Sequence, residues 1–323
     1  MAITGFQRGE PAAATPHPVG LDPSQRAVID LADAASAAVL GAPGTGKTTT
    51  LIELVADRVL ERGWGTDQVL ALTTARTTAT RLRDAIALRL ARPTSGPMAR
   101  TVNSLAFELA RDAAREAGAP PPRLITGGEQ DADIADLLEG HLEDGTGPAW
   151  PEELGPEVRA LGRFRSELRE LMMRAVEYDV SPERLASLGR ELGHPEWVAA
   201  AGFIAEYLRV RALSGSAQLD GAELARFAVA AIGAPEAPER IARLRLVVVD
   251  DLQEATESTI AVLRALAARG VAVVAFGDPD VATNSFRGGE PDALGRLAAV
   301  LGLPQATTLT LSTAHRHGPE LRA

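Results

Sequence analysis

The chain has 323 residues, 46% of them hydrophobic, and a mean hydropathy near zero, so it can bury a substantial core. Its formal net charge of −10 counts against strong autonomous nucleic-acid binding, and the absence of cysteine removes disulfides and thiolate metal sites. No apolar run reaches membrane-spanning length and the N-terminus lacks a charged-then-apolar leader, so a cytoplasmic protein with no membrane partner is expected.

In chain order, residues 1–20, with Pro11, Pro16 and Pro18, read as a flexible tail. "SAAVL" (36–40) is a short apolar strand, and "GAPGTGKT" (41–48) follows it directly. Of the 33 lysines and arginines in the chain, Lys47 is the only lysine. The spacing G-x-x-x-x-G-K-[ST] is that of a P-loop, whose backbone N–H groups cradle phosphates while the lysine reaches the β/γ oxygens. A lysine is a compact point charge, whereas the arginine fork is too bulky for so tight a nest. The nucleotide contacts expected here are Gly41, Ala42, Pro43, Gly44, Thr45, Gly46, Lys47, Thr48 and Thr49, with the Thr48 hydroxyl on Mg²⁺.

Helical spacing resumes after Lys47. "QVLALTT" (68–74) predicts a buried strand, 76–90 a helix, and "ARTVNS" (99–104) another strand before a helix from Leu105. Alternating strands and helices predict an α/β fold with a parallel sheet covered on both faces. From 128 to 232 the pattern holds only helical runs, "SPERLASLGREL" (181–192) among them, which reads as an inserted all-helical subdomain. The expected lobe therefore comes in two parts, 21–127 and 233–323. Strands return in "LRLVVVDD" (244–251), "VAVVAFGD" (271–278) and "ATTLTLS" (306–312).

Charge is uneven along the chain. Residues 76–100 carry six arginines and one acid, a candidate phosphate-tracking surface, while 129–153 carry nine acids and no Lys or Arg. The acidic run is most simply a solvated helix face and loop. "VVVDD" ends a β-branched strand in two carboxylates. In P-loop enzymes the first acid, here Asp250, holds Mg²⁺, and its neighbour, here Asp251, activates the attacking water.

Several stretches together resemble the UvrD/Rep group of superfamily 1 DNA helicases. They are "LDPSQRAVI", "GAPGTGKT", "LALTTARTTATRLRDAI", "RTVNSLAFELAR", "LDGAELARFA", "VVVDDLQEA", "GDPDVATNSFRGG" and "LSTAHR", spanning 21–316. The resemblance implies a RecA-like motor lobe binding MgATP, with single-stranded DNA or a single-strand/duplex junction as its partner. It places Gln25 and His315 against adenine, Lys47 and Arg316 on the γ-phosphate, Asp250 and Asp251 at the catalytic centre, and Gln253 between ATP and DNA. DNA contact falls to Thr73, Thr74, Arg76, Asn103, Asn284, Phe286 and Arg287. The sequence stops at Ala323, where such motors continue into a second lobe, so a longer chain, a second motor lobe or a partner helicase–nuclease subunit is expected.

Departures from the family pattern matter as much. Asp251 stands where a glutamate is usual, and Val281 where a glutamine senses the γ-phosphate. Thr74, Asn103 and Asn284 replace residues that are commonly aromatic or histidine. In this the chain resembles the weaker motor of two-motor helicase–nucleases such as the AdnAB type. Two expectations follow: an ATP-hydrolysing DNA translocase for repair or recombination, or a nucleotide-binding DNA clamp with weak or no ATPase.

Overall fold

A computed structural model describes residues 20–213, 218–281 and 291–315. The expected tail and the segment holding Asn284, Phe286 and Arg287 lie outside them, as does Arg316. Six strands form one sheet: β1 (Ala37–Leu40), β2 (Val69–Thr73), β3 (Ala99–Thr101), β6 (Leu246–Asp250), β7 (Ala272–Gly277) and β8 (Thr307–Thr310). Their order is β3-β2-β6-β7-β1-β8, and every pairing is parallel. The α/β expectation therefore holds. All six C-terminal ends reach the same edge, where open parallel sheets bind ligands.

The central strands are continuous apolar runs because both their faces are covered. Leu246 and Val248 of β6 pack on the side of helices α1 (Pro23–Ile29), α2 (Lys47–Ala56) and α3 (Arg76–Leu90). Val247 and Val249 face α4 (Val102–Glu116), α10 (Gly221–Gly233), α11 (Glu239–Arg243), α12 (Glu257–Ala268) and α13 (Leu297–Leu301). Alternation along β6 thus assigns Asp250, its last residue, to the α2 side. That parity positions the site.

Sequence and structure differ in three places. Helix α4 begins at Val102 rather than Leu105, because the Thr101 hydroxyl accepts from Ser104 N at 3.1 Å and caps the helix. The helical block is not free of strand: β5 (Gln218–Leu219) pairs with β4 (Arg123–Leu124) where the chain enters and leaves it. Its far boundary also moves. Helix α10 buries Leu224, Ala225, Ala228 and Ile232 in the cluster that covers the sheet.

The remaining helices, α5 (Gly127–Asp144), α6 (Pro156–Arg159), α7 (Gly162–Glu177), α8 (Pro182–Leu192) and α9 (Pro195–Ala212), include four that surround a cluster of their own. Ile134, Leu168, Leu185, Phe203 and Tyr207 belong to it. Ser181 caps α8 through Arg184 N, as its Ser-Pro start predicts. Helix α5 turns Ile134, Leu138 and His141 inward and most of its acids outward. Among the described residues no helix is long and apolar enough to cross a membrane.

Phe203 is fully buried, stacked on Tyr207 and close to Trp150 and His141. Phe203→Ala should destabilise this helical cluster by about 3–5 kcal/mol. Hydrogen exchange is expected to quicken in α5 to α9 while β6 and β7 stay protected. Uniform acceleration would show that the block and the sheet unfold together.

Candidate functional site

The loop between β1 and α2 is held at its first residue. Gly41 N donates to Gly277 O at 3.1 Å, tying the P-loop to the end of β7. At Gly46 the chain turns left-handed (φ 83°) into α2. A Cβ there would stand 2.5 Å from Gln25 Nε2, so glycine meets both a conformational and a spatial need. Lys47 Nζ donates to Gly41 O at 2.6 Å and Ala42 O at 3.3 Å, and Thr45 Oγ1 donates to Ala42 O at 2.8 Å. The lone ammonium is thus tethered over the loop. Phosphate oxygens are stronger acceptors for it than neutral carbonyls.

Beneath the loop, Asp250 is 2% exposed. Its Oδ2 accepts from Thr48 Oγ1 at 3.4 Å, a long contact for a buried carboxylate. Burial pushes its pKa up to about 6, and the neighbouring Asp251 carboxylate adds to the rise, against smaller lowering by Thr48 and Lys47. Asp251 follows in a left-handed conformation (φ 55°), which a short carboxylate tolerates better than most side chains. Gln253, also buried, accepts from Asp278 N at 3.2 Å and donates to Asp251 at 3.4 Å, bridging the ends of β6 and β7. A Cβ on Gly277 would collide with Leu294 Cδ1 and Gln253 Oε1, so a side chain there would displace the Gln253 amide.

On the other side, Asp22 and Gln25 form a reciprocal capping box at the start of α1. His315 N donates to Gly44 O at 2.8 Å, and its ring Nε2 lies 2.9 Å from Asp22 Oδ2. Pro43, Gly44, Gly46, Lys47, Thr48, Thr49, Asp251, Gln253, Asp278, Val281 and His315 line a cleft of about 580 Å³. Of the residues expected on nucleotide, Pro43, Gly44, Gly46, Lys47, Thr48, Thr49 and His315 line this cleft, while Gln25, Gly41, Ala42 and Thr45 do not.

A family model for the UvrD/REP helicase N-terminal domain matches residues 21–299. The chain belongs to this family. No curated protein matches it. In this UvrD/REP lobe the expected DNA residues divide. Thr74, Arg76 and Asn103 are exposed, and Arg76 and Asn103 border a second cleft, of about 460 Å³, with Thr80, Arg83, Arg100 and Phe107. The arginine-rich stretch contributes Arg76, Arg83 and Arg100 to this cleft.

Thr73 is a correction. It ends β2 in register with Asp250 and is 1% exposed, so its side chain lies inside the lobe rather than on the surface that carries Thr74. Its hydroxyl has no partner among the described residues. Strand parity places it on the α2 face with Asp250, a position the sequence disguises because Thr73 and Thr74 read as one motif.

Magnesium fits this donor set. Among the described residues no group of three or more His, Asp or Glu could hold a metal. Mg²⁺ needs no such cage, since one carboxylate, a hydroxyl, waters and phosphate oxygens suffice. Asp250, Asp251 and Asp278 outnumber the single lysine, and a triphosphate would add further negative charge. A divalent cation on Thr48 and Asp250 would offset both. The unpartnered Thr73 hydroxyl beside them suits an ordered water.

Because the folded pKa of Asp250 lies above its usual 3.8, ionising it opposes folding. The cost is absent below about pH 4, grows as pH rises towards 6, and reaches roughly 3 kcal/mol above that. Asp250→Asn should therefore raise the melting temperature of the metal-free protein at pH 7.5 and leave it nearly unchanged at pH 4. Equal shifts at both pH values would remove the buried-carboxylate account.

Proposed function

We propose that this lobe binds and hydrolyses MgATP and couples the reaction to movement on single-stranded DNA. The observation that carries the proposal is the convergence of Lys47, Thr48 and Asp251 on one cleft at the carboxyl edge of the sheet, with Asp250 buried behind Thr48. Lys47 and the α2 N-terminus hold the β and γ phosphates, while Thr48 and Asp250 hold Mg²⁺, which neutralises charge developing on the phosphoryl oxygens. Asp251 orients the attacking water and accepts its proton. Gln25 and His315 read the base. Arg316 adds a second cation on the γ-phosphate.

Gln253 suits a coupling role because it touches both strand ends that border the cleft. The exposed Thr74, Arg76 and Asn103 would track the DNA strand, joined by Asn284, Phe286 and Arg287, with Phe286 supplying a stacking platform. Repair or recombination, in company with a second motor lobe or a helicase–nuclease subunit of the AdnAB type, is the setting that fits. The helical block is then an insertion within the motor lobe.

One observation favours the second reading, a nucleotide-holding DNA clamp with slow hydrolysis. Val281 lies on the cleft wall, 48% exposed, and cannot hydrogen-bond there. Asp251→Glu with Val281→Gln distinguishes the two. In a degenerate motor the pair should raise DNA-stimulated ATPase, since positioned groups of this type commonly contribute about 10²–10⁴-fold. In a motor adapted to Asp251 and Val281 the double variant is slower.

The single lysine makes the nucleotide site directly testable. An acyl-phosphate derivative of ATP transfers its acyl group to a nearby amine and releases ATP. Labelling should fall on Lys47 alone among side chains, and excess MgATP should suppress it. Lys47→Ala should abolish the label and lower any ATPase activity by about 10²–10³-fold without changing the melting temperature much. Unchanged hydrolysis in a folded Lys47→Ala protein would remove the P-loop assignment.

A further inference from the structure

The end of α1 away from the cleft carries a charged cluster that phosphate chemistry does not use. Helix α2 runs on into a π-helical turn, Asp57–Glu61, a rare geometry that often marks functional sites. Arg58 lies in this turn and Arg62 closes it. Arg58 is 1% exposed. Its Nη1 donates to Ile29 O at 3.0 Å and its Nη2 to Leu31 O at 2.8 Å. Arg62 donates to the same two carbonyls, from Nη2 to Ile29 O at 2.9 Å and from Nη1 to Leu31 O at 3.2 Å.

Two guanidiniums thus share the carbonyls at the C-terminal end of α1, where helical partners run out. Asp57 accepts from both arginines, and Asp33 joins Arg62 to Arg245, whose guanidinium lies over Trp64. Burial and the adjacent Arg62 charge both lower the pKa of Arg58, so its own charge is costly to bury, while Asp33 and Asp57 favour the charge on Arg62. Apolar side chains would fill the same space at lower cost. Charge retained there calls for a geometric reason.

Helix α1 supplies one. At seven residues it is too short to hold its own position. Its N-terminal end carries Gln25 against Gly46 of the P-loop, and its C-terminal end is gripped by the arginines of the P-loop helix. Gln25 is 2% exposed and its Oε1 already accepts from Asp22 N at 3.1 Å, so the second Oε1 lone pair and the Nε2 donor are what would match the adenine edge bidentately. Guanine presents two acceptors at the same positions and loses one bond. Such discrimination survives only while the amide is held within about 0.5 Å of its productive place.

We propose that Arg58 and Arg62 are positioning residues for base recognition, fixing α1 to the P-loop helix so that Gln25 selects adenine over guanine. The proposal rests on the reading of Gln25 as the adenine contact. The phosphates bind on α2 itself and do not depend on the clamp. Loss of the clamp therefore lets α1 swivel and costs base selectivity first.

The test measures competition by ATP, GTP and inorganic tripolyphosphate against a fluorescent ATP analogue, in Mg²⁺, on the full chain. Variants are Arg58→Met, Arg62→Gln and Arg62→Lys, with Gln25→Ala as the benchmark. One bidentate base contact is worth at least about fivefold in selectivity. Arg58→Met and Arg62→Gln should narrow the ATP-over-GTP ratio by about that factor, towards the Gln25→Ala value. Tripolyphosphate affinity should stay within about twofold, and Arg62→Lys should restore part of the ratio.

Arg62 is partly exposed, so Arg62→Gln keeps the test valid should Arg58→Met fail to fold. Folded variants that retain the wild-type ratio, or that weaken all three ligands in parallel, overturn the clamp and leave Gln25 in place. A wild-type chain with no preference for ATP overturns the Gln25 reading and the clamp together.

Discussion

Everything at the cleft depends on burying both faces of the central strands. A strand covered on two sides must be apolar at every position, and β6 obeys this from Leu246 to Val249. The rule breaks at Asp250, where the sheet ends and the loops begin. A carboxylate at that position is buried, poorly hydrated and only weakly held by a long contact from Thr48. Its discomfort is electrostatic, and a cation with phosphate would relieve it. The strand pattern that builds the lobe is therefore also what prepares a site for a charged ligand.

The P-loop shows the same economy. Gly41 is anchored to the end of β7, Gly46 turns into α2, and Gln253 joins β7 to the strand that carries the acids. Two neighbouring strand ends and one helix N-terminus share a few backbone and amide contacts. Movement of one is passed to the others through these contacts and the close packing of Gln253 and Leu294 on Gly277. A ligand in the cleft would therefore bear on the ends of β6 and β7 together.

The charged surfaces separate cleanly. Acidic residues of α5 face outward from a helical cluster with its own core, whereas Arg76 and Arg83 of α3 border the cleft beside Asn103. An overall charge of −10 therefore coexists with a local basic surface. Net charge governs long-range steering, but a phosphate backbone responds to what lies within about one Debye length. This distribution fits a lobe that meets DNA on one face only.

Short-range chemistry was legible in the sequence. Glycine spacing, the lone lysine, the Ser181-Pro182 helix start and the alternation of strands and helices each act within a few residues, and each appears where the pattern places it. The family motifs likewise marked His315, which lines the cleft, and Gln25 and Asp250, which lie buried behind its Gly46 and Thr48 walls. What only the tertiary structure decided is which side chains share a face and what they meet there. Thr73 and Thr74 are neighbours in a polar pair, yet pleating buries one beside Asp250 and exposes the other. Helix α10 reads as part of the helical block but packs on the sheet, since its partners α4 and α12 are distant in sequence. The arginine clamp on α1 carries no motif at all. Its carbonyl acceptors exist at every residue, and only the fold selects Ile29 and Leu31.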